Sequence, residues 1–90
     1  MSDVREVFAD FNRLEERPGI GLSVLLGPDD LDPDLADLVD EQSIMLVELE
    51  NLCAPATAKS IMSGGRRYWY GVLRSRSDIR NIHPEATAKR

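Results

Sequence analysis

Ninety residues, 42% hydrophobic and 30% charged, admit one folded domain and exclude a disordered chain. The single cysteine, Cys53, excludes an internal disulfide, and with His83 as the only histidine it cannot complete a zinc site without other ligands. Apolar runs never exceed four residues, and the opening MSDVREVFAD lacks the basic start and apolar run of a secretory signal, so the expectation is a cytoplasmic protein that does not enter a membrane.

The net charge of −5 conceals two opposed blocks. In residues 1–50, Arg5, Arg13 and Arg17 stand against fourteen Asp and Glu, a local charge of −11; in residues 51–90, eight Lys and Arg stand against Asp78 and Glu85, a local charge of +6. Blocks of this kind predict neutralisation within the chain or head-to-tail packing between copies.

In chain order, VREVFADFNRLE places Val7, Ala9 and Phe11 on one face at period two, with Val4 and Phe8 on the other, which predicts a strand. RPGIG is a turn. GIGLSVLLG then aligns Ile20, Leu22, Val24 and Leu26 as a second strand, ended by Gly27 and Pro28. In DDLDPDLADLVDEQ the period changes: Leu31, Leu35, Leu38 and Val39 form one helical stripe, with Asp32 as N-cap and Pro33 in the first position, predicting a helix of about two turns over residues 33–41. The aspartates here do not match a calcium-loop spacing, and capping accounts for them, so no metal is expected.

SIMLVELENL is the third strand, with Met45, Val47 and Leu49 on one face and Ile44 and Leu46 beginning the other. ENLCAPA reads as a connection with Pro55 at a strand start or edge, and ATAKSIMS as a fourth strand of small residues. Gly64-Gly65 then predicts a tight hairpin into RRYWYGVLR, the fifth strand. SDIRNIH closes the domain as one helical turn or a short strand, with Ser77 as a cap; residues 1–83 form the domain and 84–90 a mobile tail.

Short strands, frequent turns and no long crossover predict a mainly β fold: a small antiparallel five-stranded barrel with one short helix between strands 2 and 3, SH3-like or KOW-like in architecture, with an OB-like barrel as the alternative. FADFN at residues 8–12, DDL before the helix, the acidic strand LVELENL and an aromatic closing strand with Trp69 resemble a type of short, uncharacterised bacterial β-barrel protein. The resemblance implies fold and bacterial origin only.

Within RRYWYGVLR, alternation puts Trp69, Gly71 and Leu73 with Arg67 on one face and Arg66, Tyr68, Tyr70, Val72 and Arg74 on the other. The first is read as the core face, with Gly71 allowing a bend or a close approach. The second carries the candidate partner-binding residues Arg66, Tyr68, Tyr70 and Arg74. Tyr and Arg are favoured in protein hot spots, and two aromatics bracketed by arginines also make a stacking platform for single-stranded nucleic acid. A third reading is cross-strand packing of the tyrosines under arginine stems, with no ligand.

The leading functional expectation is therefore a non-enzymatic module that binds protein or associates with itself. The alternative is RNA or single-stranded DNA binding that adds Arg67, Arg76 and Arg80. No catalytic residue or cofactor is expected: Cys53 in an apolar LCAP reads as a buried thiol, and His83 leaves no serine with a triad. Nothing in the spacing requires Asp10 and Glu48 to meet as an acid–base pair.

Overall fold

Among the described residues seven strands join in one strongly bent sheet: β1 (Arg5–Phe8), β2 (Glu15–Arg17), β3 (Gly21–Pro28), β4 (Ser43–Glu48), β5 (Leu52–Ser63), β6 (Arg66–Val72) and β7 (Arg80–Asn81). The computed structural model describes residues 4–48 and 52–81. The expected end of the third strand at Glu50, the domain limit at residue 83 and the tail lie outside the described residues. The strand order is β1-β4-β5-β6-β3-β2, with β7 on β5.

The mainly β class is as expected, but three features differ. Seven strands replace five, the sheet is not closed into a barrel, and β1 pairs with β4 in parallel, Arg5 opposite Ile44 through Phe8 opposite Val47. The expected first strand breaks after Phe8 because Asp10 caps a 3-10 turn at Phe11–Arg13, accepting from Asn12 N, and the chain then re-enters the sheet as β2 beside β3.

The predicted helix is also corrected. Asp32 does cap at Asp34 N with Pro33 next, but the turn covers only Pro33–Leu35. Beyond it, Glu41 N donates to Ala58 O and Ala58 N to Gln42 O, both at 2.8 Å, so residues 40–42 extend the β4 edge along β5. Backbone groups committed there cannot build a second helical turn. The stripe splits accordingly: Leu35 and Leu38 are buried, whereas Leu31 and Val39 are 68% and 64% exposed.

β5 is longer than predicted and runs through Pro55. Its even-numbered residues bond toward β4, as Ala58 N does to Gln42 O, so by alternation Pro55 points to the opposite edge. There β6 has ended at Thr57↔Val72 and β7 begins only at Cys53↔Arg80, so the missing proline N–H costs no ladder bond. Ala54, Ala56 and Ala58 bring small side chains to the core at period two. They make room for Leu46, Ile44, Val24, Trp69 and Leu35, the large buried residues of the interior.

The Gly64-Gly65 hairpin is as expected. Ser63 pairs with Arg66, and both glycines have positive φ, 60° and 79°, the conformation of a two-residue type I′ turn. In β3 the inward alternation holds at Val24, but the register on β6 shifts between Leu25 and Gly27. Ile20 lies in the preceding turn rather than in the strand. The final segment adopts both predicted forms, a 3-10 turn at Arg76–Asp78 followed by β7, with Ser75 rather than Ser77 as its cap.

Candidate functional site

β6 separates its two faces as alternation predicts. Trp69, Gly71 and Leu73 are buried, while Tyr68, Tyr70 and Val72 are half-buried on the outer face. Register places Tyr70 between Leu25 of β3 and Lys59 of β5, and Tyr68 between Pro28 and Ile61. Two tyrosines thus sit in the middle of three strands, Tyr68 with apolar partners on both sides and Tyr70 with Leu25 on one side and Lys59 on the other.

The arginines around them are largely engaged. Arg66 Nε lies 3.2 Å from Asp30 Oδ2. Arg74 stands just past the end of β6, 90% exposed in its side chain, 3.7 Å from Asp78. Arg67 is on the inner-face parity, its guanidinium 5.9 Å from the Trp69 ring centroid, and so does not join the tyrosines. Arg76 in the 3-10 turn and Arg80 in β7 are exposed, away from the central tyrosines in the strand pairing. The structure therefore brings Arg66, Tyr68 and Tyr70 together on one strand face, and separates Arg67, Arg76 and Arg80 from them.

Arg17 is the residue that sequence reasoning missed. Its guanidinium lies 5.2 Å from the Tyr70 ring centroid. It donates to the Ser23 carbonyl, to Ser23 Oγ at 3.2 Å, to Arg13 O at 3.3 Å and to Glu15 Oε2 at 3.1 Å. Ser23, on the outer parity, is fully buried. The only sequence signal was an arginine before a turn, which does not reveal that β2 folds back beside β3.

The opposed charge blocks meet within the chain. Lys59 pairs with Glu41 and Arg66 with Asp30 across the two blocks, while Arg5 pairs with Asp37 at 2.7 Å inside the acidic one. The Arg5 hydrogen bond holds the Asp37 carboxyl below its usual range, and Glu41 raises Lys59. Asp40 is lowered by the Ser60 backbone N–H, donating at 2.7 Å, with the Ser60 hydroxyl and the charges of Arg67 and Lys59 adding to it. These contacts take up part of the acidic excess of residues 29–41.

Cys53 is half-buried on β5 rather than fully buried as expected, opposite Val47 and Arg80. Asp10 and Glu48 do come together, as caps of one turn: Asp10 accepts from Asn12 N at 3.0 Å and Glu48 from Phe11 N at 3.3 Å. Each is thereby assigned a backbone donor. Among the described residues, no three His, Cys, Asp or Glu side chains are grouped to hold a metal ion, and no helix is long and apolar enough to cross a membrane. Comparisons with protein-family models, curated proteins and solved structures return no match.

Proposed function

We propose that the protein is a non-enzymatic bacterial cytoplasmic module that binds another protein, or a second copy of itself, through the outer face of β5 and β6 around Tyr68. The observation that carries this reading is Arg17 over Tyr70. A base stacking on Tyr70 has to displace a guanidinium held by four hydrogen bonds, whereas a protein can pack against the covered ring as it stands. With Arg66 on Asp30, what remains is Tyr68, Ile61, Pro28 and Leu25, an apolar centre with a charged margin, as in a protein interface. The bent sheet fits an SH3-like barrel left open along one side, with the OB-like arrangement as the alternative.

A second reading, RNA or single-stranded DNA binding, draws on exposed Arg74, Arg76 and Arg80, near which Asp78 is the paired acid. The two readings differ in salt response, since phosphate contacts release counterions. Light scattering after size exclusion at low and high salt tests them. Self-association that persists in high salt and is lost in Tyr68→Asp supports the protein reading. Nucleic acid that copurifies and is stripped by salt would sink it.

A further inference from the structure

Among the described residues β1 is an end strand of the sheet, and β2 covers only part of the outer edge of β3. β1 bonds to β4 through alternate residues: Ala9 N donates to Val47 O at 2.9 Å, so Val7 and Ala9 face β4 while Glu6 and Phe8 turn their N–H and C=O groups the other way. On β3, Leu22 O accepts from Leu73 N at 2.9 Å, so Leu22 and Val24 face β6 while Ser23 and Leu25 face the opposite edge. There β2 pairs with β3 only from Gly21 to Ser23, and among the described residues Leu25 has no neighbouring strand on that side. The two unused edges border one cleft of about 340 Å³, lined by Phe8, Ala9, Asp10, Arg13, Leu25, Leu26 and Gly27. Its volume falls at the lower end of the range for ligand sites.

The lining states what fits. Outward backbone donors and acceptors at Phe8 and Leu25, both in the cleft lining, match an extended main chain, the mode in which a peptide adds a strand to a sheet edge. Phe8, 63% exposed, and Leu25 and Leu26 supply apolar surface for alternate side chains. The charges are balanced, as Asp10 and Arg13 lie 3.9 Å apart, which favours a neutral ligand over a phosphate chain or a charged helix. We propose that this cleft binds an extended, uncharged peptide segment of a protein partner, with apolar residues at alternate positions, which enters as an additional strand between β1 and β3. The cleft shares Leu25, the cross-strand partner of Tyr70, with the tyrosine face, but Tyr68 and Ile61 do not line it.

The test selects short random peptides displayed on phage against the immobilised full-length protein, then titrates a selected peptide into the isotope-labelled protein by NMR. The expected result is alternating apolar peptides, amide shifts concentrated at Glu6–Asp10 and Val24–Gly27, and slowed hydrogen exchange at Phe8 and Leu25. Phe8→Pro deletes an outward amide, and Phe8→Glu charges an exposed side chain; each should weaken binding at least tenfold, with Tyr68→Asp leaving it unchanged. Thermal melts check that both Phe8 variants fold. No selected peptide, shifts confined to Ile61–Tyr70, or a cleft protected only by association of two copies would each overturn the proposal. The Tyr68→Asp arm keeps its failure distinct from that of the tyrosine face.

Discussion

Leu46 of β4 rests against the bare backbone of Gly71 of β6, although β5 separates the two strands in the sheet. A Cβ at Gly71 would lie 2.8 and 2.9 Å from the Leu46 methyl carbons and 3.3 Å from Cγ. The sheet bends sharply enough for the inner sides of β4 and β6 to meet over Ala54 and Ala58, their register partners on β5. Gly71→Ala should therefore destabilise the fold by about 1–3 kcal/mol through overpacking. Combined with Leu46→Ala, which alone costs about 2–5 kcal/mol, it should cost less than the two separately, because truncation frees the space the new methyl needs. Urea denaturation of the four proteins in this cycle measures the coupling; simple additivity would show that the contact does not determine the bend.

Trp69 is the largest buried side chain, and its Nε1 has no hydrogen-bond partner among the described residues. Trp69→Ala should cost about 3–5 kcal/mol, the cost of an unfilled aromatic site. Trp69→Phe should cost only about 1–2 kcal/mol, since the lost N–H was unpaired and the smaller cavity sets the penalty. Thermal melts distinguish the two. Near-normal stability of the alanine variant contradicts the inward facing of Trp69, and equal losses in both variants would mean that Nε1 has a partner.

The residues just discussed were legible because they obey local rules. Period two across RRYWYGVLR separates Trp69, Gly71 and Leu73 from Tyr68 and Tyr70, and Gly64-Gly65 fixes the hairpin that presents them. What escaped the reading depends on partners distant in sequence. Arg17 acquires its role only when β2 lies beside β3, and Pro55 stays within β5 only because β6 and β7 leave that stretch of its edge open. The helix over 33–41 failed for the same reason: the leucine spacing is helical, but Ala58 and Ser60 of β5 draw residues 40–42 into the edge of the sheet. Parallel pairing of β1 with β4 likewise leaves no mark on the sequence of either strand.

The hairpin itself gives a local test. Gly65 has φ 79° with nothing within 4 Å of an added Cβ, so substitution there acts through backbone conformation alone. Gly65→Ala should cost about 1–2 kcal/mol, the penalty of a left-handed conformation for an L side chain. Gly64→Asn should be nearly neutral, since asparagine tolerates the first position of a type I′ turn. Chemical denaturation of both variants measures the difference, and equal costs would argue against this turn type.

Asp40 ties residues 40–42 to β5 by accepting from the Ser60 amide at 2.7 Å and from its hydroxyl at 2.9–3.0 Å. Its folded-state pKa is lowered from the ordinary 3.8, chiefly by that amide, so folding favours the ionised form. The contribution is fully present above the unfolded pKa and is lost as pH falls through the lowered folded value. Stability should therefore decline below about pH 4, where Asp37, lowered by Arg5, adds to the same limb. Asp40→Asn should destabilise the protein modestly at pH 7, because the group is exposed and solvent screens it, and should flatten the acid limb relative to the parent. Ser60→Ala removes the hydroxyl but keeps the dominant amide, so its acid limb should remain close to that of the parent. Urea midpoints measured from pH 7 down to pH 2 decide this: a parallel offset between Asp40→Asn and the parent at every pH would show that Asp40 acts by geometry and not by charge.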